Sequence, residues 1–182
     1  MQKGLTRERV VAAALELVDD GGLGALSMRK VAAGLGVEAM SLYRHVKNKG
    51  DLLDALHEHL IGQVSSDGLT GPWPDQVTSL ARRFRAVLFA HPACVPLLAT
   101  RAATTPQALA VVEAGIAVLE AEGWPADDAI DAFQTVFCFV VGHAVFHTAG
   151  GQLPDDVLAR REFEAGLALL VAGLEAQGRT AR

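Results

Sequence analysis

The sequence predicts an all-α protein, a short helical unit at the N-terminus followed by a larger helical body, and three observations lead there. Hydrophobic residues make up 51% of the 182 residues against 20% charged, enough apolar side chain for a packed core and too much for a disordered chain. Aromatics are 5% while alanine supplies 31 residues, a balance that suits closely packed helices, since strands favour aromatic and β-branched side chains. Apolar residues recur at the 3.6-residue period between glycine- and proline-containing breaks, and no segment repeats at a fixed longer spacing.

Over residues 6–20, Val10, Val11, Ala14, Leu15 and Val18 share one face while Arg7, Glu8, Arg9 and Glu16 fall elsewhere, the pattern of an amphipathic helix. Gly21, Gly22 and Gly24 end it. Ser27 caps a helix running to about Gly34, Gly36 takes the positive φ of a tight turn, and a second short helix follows from about Glu38 to His45. A longer helix spans 49–64 on Leu52, Leu53, Leu56, Leu60 and Val64. Residues 65–74, rich in Ser, Gly, Asp and Pro, form an extended loop that divides the chain into units 1–64 and 65–182. Beyond it helices are expected near 75–90, 93–101, 106–122, 126–148 and 155–177, with prolines where a first helical turn tolerates them.

Net charge is −5 and the pI about 5.6, values that taken alone argue against a nucleic-acid binder. The charge is unevenly spread. Residues 1–62 hold eight basic and eight acidic groups, whereas 63–182 hold eight basic against thirteen acidic. Between Ser27 and Gly50, Arg29, Lys30, Arg44, Lys47 and Lys49 face Glu38 alone, a local +4.

That basic stretch coincides with helix-turn-helix spacing over about 27–46: small Ala32 at the helix crossing, Gly36 four residues later, and Val31, Leu35, Val37 and Leu42 filling the space between. With Leu42 and Val46 turned inward, Ala39, Met40, Ser41, Tyr43, Arg44 and His45 face outward. Short side chains at the helix start admit its backbone to the major groove, while Tyr43, His45 and Lys49 are suited to phosphates, and Arg29 to a base edge or a phosphate. On spacing alone, a glycine-joined corner of an all-α core with solvated charges remains the alternative.

The run Leu42-Tyr43-Arg44-His45-Val46-Lys47-Asn48-Lys49-Gly50-Asp51-Leu52-Leu53, preceded by 27–32 and Leu35-Gly36-Val37, closely resembles the DNA-binding domain of the TetR family of transcriptional regulators over about residues 6–60. The resemblance implies a homodimeric one-component repressor of a palindromic double-stranded DNA operator, with a ligand-binding C-terminal domain whose small-molecule effector releases the DNA. It puts the DNA contacts at Arg29, Ala39, Met40, Ser41, Tyr43, His45 and Lys49. Where the tetracycline repressors carry a base-reading Gln and a Pro, this chain has Ala39 and Met40, better suited to a thymine methyl than to a hydrogen bond. The histidines with which such repressors hold drug and magnesium would fall near Ser65 and Leu97, so no magnesium–tetracycline binding is expected.

In the C-terminal unit, residues 163–176 and Thr100-Arg101 resemble the tetracycline-repressor effector domain more weakly. Candidate effector contacts are Arg101, Trp124, Phe133, Phe137, His143 and His147; a core role for the aromatics and polar spots on a wall or seam for the histidines are the plainer readings. His143 and His147 are an i,i+4 pair without a third ligand at recognisable spacing, so no metal is expected, nor any cofactor. His57 and His59 lie on different sides of one helix and form no common site. Helices 126–148 and 155–177 are apolar around much of their circumference and are expected to pair with a second copy. Segment 132–149 is apolar enough to test as a membrane span, but Gln134, His143 and His147, with Asp127, Asp128 and Asp131 just upstream, favour a core or interface helix and no membrane. Cys94 and Cys138 show neither disulfide nor zinc spacing, no leader is read at the N-terminus, and a cytoplasmic setting fits. Nucleophile-elbow, phosphate-loop, HExxH and paired-carboxylate patterns are missing, so no enzyme is expected. The competing class is a helical binding or interaction protein with a vestigial helix-turn-helix.

Overall fold

The computed structural model describes residues 4–102, 104–148 and 156–180. Among them the regular structure is helical: α1 Arg7–Gly21, α2 Met28–Gly34, α3 Ala39–Leu42, α4 Lys49–Ile61, α5 Trp73–Ala90, α6 Val95–Thr100, α7 Pro106–Glu120, α8 Ala126–Thr148 and α9 Asp156–Thr180, with short 3₁₀ turns at Leu23–Ala25 and Pro92–Cys94. The connection 149–155 lies outside the described residues.

Caps set the starts of four helices. Thr6, Ser27, Asn48 and Thr105 are extended, and each side-chain oxygen accepts the backbone N–H three residues on, from Arg9, Lys30, Asp51 and Ala108. Each such cap contributes about 1 kcal/mol. Several boundaries differ from expectation: the helix expected at 49–64 ends at Ile61, that expected at 106–122 ends at Glu120, that expected at 155–177 runs to Thr180, and three others differ for identifiable reasons. The second helix of the motif stops at Leu42 rather than His45, because the amides of Tyr43 and His45 bond three residues back, to Met40 and Leu42, winding 43–45 into a tighter turn. The helix expected at 93–101 begins as the 3₁₀ turn, closed by Cys94 N–H to His91 C=O, and continues as α6 with Pro96 in its first turn. The helix expected from 75 starts at Trp73, Pro74 sitting in a first turn whose N–H groups need no intrahelical partner.

The N-terminal helices close on a small core of their own. Val10, Ala14 and Val18 of α1, Val31 and Ala32 of α2, and Leu42 and Val46 are all buried, together with Leu52 and Leu56 of α4. Ala32 lies at the α2–α3 crossing, where its carbonyl accepts the Val37 N–H at 3.0 Å, and Gly36 takes φ 67° in the turn between. An L side chain at Gly36 would strain that turn. In the body, α8 packs against α5, α6, α7 and α9, burying Ala129, Ala132, Val136, Val140, Val141 and Ala144. By length and composition α8 is apolar enough to cross a membrane; its packing against four helices is that of a core helix. Helix α4 bridges the two parts, packing on α1 below and on α6 and α7 above.

Candidate nucleic-acid interface and effector cavity

The outward surface of the helix-turn-helix carries the side chains that the spacing turns outward. Met40 is 72% and Tyr43 46% exposed, Arg29, Arg44 and Lys49 are exposed, and Ala39, Ser41 and His45 are half-buried at the edges of the same face. Among the described residues Arg29, Arg44 and Lys49 form no ion pair within the fold, which leaves their charges available to an outside anion. Met40 is an exposed apolar side chain on this basic surface.

What holds this face in register lies beneath it. Arg7 of α1 donates through Nη1 to the His45 carbonyl at 2.7 Å and through Nη2 to Asp51 Oδ1 at 3.1 Å. The other Asp51 oxygen accepts the Lys47 N–H at 2.6 Å. One guanidinium thereby ties the end of α3 to the start of α4. That same Lys47 N–H chiefly lowers the Asp51 pKa below the usual carboxylate range, with the Arg7 contact adding to it. Sequence reasoning missed Arg7 and Asp51 as positioning residues. The available signal was the acidic residue three places after the Asn48 cap.

A second polar clamp joins α4 to the body. Arg101, just past α6, donates through Nε to Asp54 Oδ1 at 2.8 Å, and buried His57 hydrogen-bonds to the Arg101 backbone. Burial, and then the Arg101 charge, lower the His57 pKa. A histidine held neutral in the fold charges more readily when unfolded, so its stabilisation is complete above its unfolded pKa of about 6.5 and is lost as pH falls below that value. The His143 pKa is lowered in the same sense, by burial first and by His147 next. Thermal unfolding should therefore shift to lower temperature between pH 7.5 and pH 5.5, and the shift should shrink in His57→Gln; an equal shift in the variant excludes His57 as a contributor.

Between α4, α5, α7 and α8 lies a half-open cavity of about 70 Å³, with Leu174 of α9 at one side. Ile61 and Val64 bring the end of α4 into its wall; Phe84, Gly115, Phe133, Val136 and Phe137 supply much of the rest, and every lining residue is apolar or glycine. Phe84 and Phe137 stack at 5.3 Å between centroids, and Phe133 follows at 6.4 Å from Phe137. Of the six candidate effector residues, Phe133 and Phe137 lie in this wall. Trp124 packs edge-on against Trp73 at 5.6 Å, and Arg101 is engaged by Asp54. His143 donates through Nε2 to the Ala159 carbonyl, 2.9 Å away, and His147 meets Glu162 at 3.1 Å. The two imidazoles lie 4.4 Å apart, but those partners occupy one nitrogen of each. His57 and His59 part company as expected, one buried and the other exposed.

An outward strip on α8 and α9 is apolar or small. Phe146 is 77%, Val157 80% and Leu169 76% exposed, with Cys138, Gly142, Ala165, Ala168 and Ala172 exposed along the same two helices.

Residues 10–56 match the model of bacterial regulatory proteins of the tetR family, and residues 67–160 match the tetracyclin repressor-like C-terminal domain. A transcriptional regulator of the helix-turn-helix type from Saccharopolyspora erythraea is 39% identical over 139 residues, covering 76% of this chain and 59% of that protein. The chain spans 53% of the length of a further curated relative. The class A tetracycline repressor of transposon 1721 from Escherichia coli is 31% identical over 191 residues, covering 91% of this chain and 88% of the repressor. Among solved structures, BioQ with its double-stranded DNA operator superposes with a TM-score of 0.78 at 31% identity, covering 95% of this chain and 99% of BioQ. Two domain models in the expected order, the near full-length likeness to a repressor, and a matching fold with an exposed recognition face together place this chain in the TetR family of bacterial regulatory proteins.

Proposed function

We propose that this chain is a one-component transcriptional repressor in which residues 1–64 bind DNA and residues 65–182 bind a small-molecule effector and dimerise. The observation that carries the reading is the recognition face: Met40 and Tyr43 exposed on a short helix, flanked by Arg29, Arg44 and Lys49, which form no ion pair among the described residues. Phosphate contacts by Tyr43, His45 and Lys49 would dock the domain, and Ala39, Met40 and Ser41 would read bases, with Arg29 reaching either. The relative solved on its operator, and relatives named as repressors, support this assignment.

A second copy is the natural cover for the apolar strip of α8 and α9, because small residues let helices approach closely and exposed Phe146, Val157 and Leu169 gain by burial. The twofold axis would then set two recognition helices about 34–36 Å apart, one turn of B-DNA. The effector acts by favouring a different separation, which requires a coupling of about 1–3 kcal/mol. The cytoplasm is the setting where such a protein meets DNA, and the reading assigns it no catalytic step, metal or cofactor.

Selection of random duplex DNA on the purified chain, followed by light scattering of the complex, tests this. Recovery of a palindrome bound by two chains is the expected result. Recovery of no shared sequence would overturn the DNA assignment in favour of a vestigial motif, and one chain per site would overturn the dimer.

A further inference from the structure

We propose that the effector of this chain is an uncharged, largely hydrocarbon molecule with no polar anchoring group. The proposal rests on reading the cavity between α4, α5, α7 and α8 as the effector site. The wall presents Ile61, Val64, Phe84, Gly115, Phe133 and Phe137, and nothing in the lining donates or accepts a side-chain hydrogen bond. Polar groups of the body lie outside this lining: the Arg85 guanidinium sits 3.8 Å over the Phe89 ring, Arg101 is held by Asp54, and His143 donates through Nε2 to the Ala159 carbonyl. A charged or strongly polar ligand would give up its water shell here and receive no compensating hydrogen bond.

Size supplies the second half of the argument. At about 70 Å³ the cavity is roughly half the ~150 Å³ of an engineered dry apolar cavity that accepts benzene. One aromatic ring therefore fills the inner part of the cavity and either extends through its open side or displaces a wall. The α7–α8 side has little room to give, since Gly115 lies so close to the Phe133 ring that even a methyl group there would collide. On the opposite side Ile61 ends α4 and Val64 leads into the loop that precedes α5. A ligand that pushes on Ile61 pushes on the helix whose other end, at Asn48 and Lys49, begins beside the DNA-reading face.

The test uses a matched pair of fluorescent probes on the full chain: N-phenyl-1-naphthylamine, which is uncharged, and 8-anilinonaphthalene-1-sulfonate, the same skeleton bearing a sulfonate. The uncharged probe should bind at one per chain and at least about 10-fold more tightly than the sulfonate. Ala132→Leu, which places an isobutyl group in the cavity, should abolish that binding while leaving any sulfonate binding to the outer surface intact; Val112→Phe fills the same space from α7 should the first variant not fold. No binding of the uncharged probe, equal or tighter binding of the sulfonate, or magnesium-dependent tetracycline binding in the micromolar range would overturn the proposal. Release of selected DNA by the uncharged probe is read separately. Binding without release would leave the ligand class standing and remove the assignment of this cavity as the regulatory site.

Discussion

Replacing Lys49 by alanine should weaken binding to every DNA sequence alike, by roughly 30-fold at ~0.15 M salt, and should flatten the salt dependence of log K by about two. Both values come from counterion release. Each phosphate neutralised contributes about 0.9 to the slope, a dimer loses two such contacts with one substitution, and 1.8 times the logarithm of the salt ratio to 1 M is about 1.5. Lys49 is the first residue of α4, exposed and without an ion-pair partner among the described residues, so its removal should leave the protein's own stability nearly unchanged. Met40→Ala, by contrast, should redistribute preference among sequences with the slope intact, because Met40 carries no charge and projects from the centre of the face. Titration of a selected site across a range of salt concentrations separates the two. An unchanged slope in Lys49→Ala would mean that its ammonium meets no phosphate.

Phe163→Ala should cost about 3–5 kcal/mol and lower the unfolding midpoint by roughly 6–20 °C. Phe163 is completely buried at the α8–α9 contact, stacked on Phe139 at 5.5 Å and facing the Arg85 guanidinium at 5.4 Å. Its neighbour Gly166 leaves no slack: a methyl there would stand 2.7 Å from the Phe139 ring. Truncating Phe163 therefore opens a void that these neighbours are not placed to fill, and exposes a buried guanidinium to a poorer environment. Leu169→Ala is the informative companion. At 76% exposure in a single chain it should leave monomer packing intact, yet it removes apolar area from the strip assigned to the dimer. Calorimetry at several protein concentrations distinguishes them, since only a dimer-linked loss depends on concentration. A Phe163→Ala midpoint within a degree or two of the parent would show that α9 is not anchored through this ring.

Local chemistry was legible in the sequence where a single side chain decides the backbone. Ser27 and Asn48 cap helices because their oxygens reach an amide three residues away, and Gly36 turns because its φ is positive. The faces of α1 and α4 followed from periodicity, as did the burial of Ala32 and Leu42. Long-range pairing was another matter. Arg7 finds His45 and Asp51 across 38 and 44 residues, and Arg101 finds Asp54 across 47; periodicity says which face a charge occupies, never which partner arrives there. The same limit shaped the effector candidates. Arg101, Trp124, His143 and His147 have side chains that suit a ligand, but packing gave each of them a partner inside the fold, whereas Phe133 and Phe137 line the cavity because they lie on the inner face of α8.

The two cysteines carry a practical corollary. Burial raises the Cys94 pKa to about 12, so at neutral pH its sulfur stays protonated and inert toward alkylating reagents. Cys138 is exposed on the outward strip of α8. The unmodified protein thus offers one accessible thiol, sited on the surface that a second copy would cover, and the rate at which a maleimide reaches it becomes a built-in gauge of self-association as the protein is diluted.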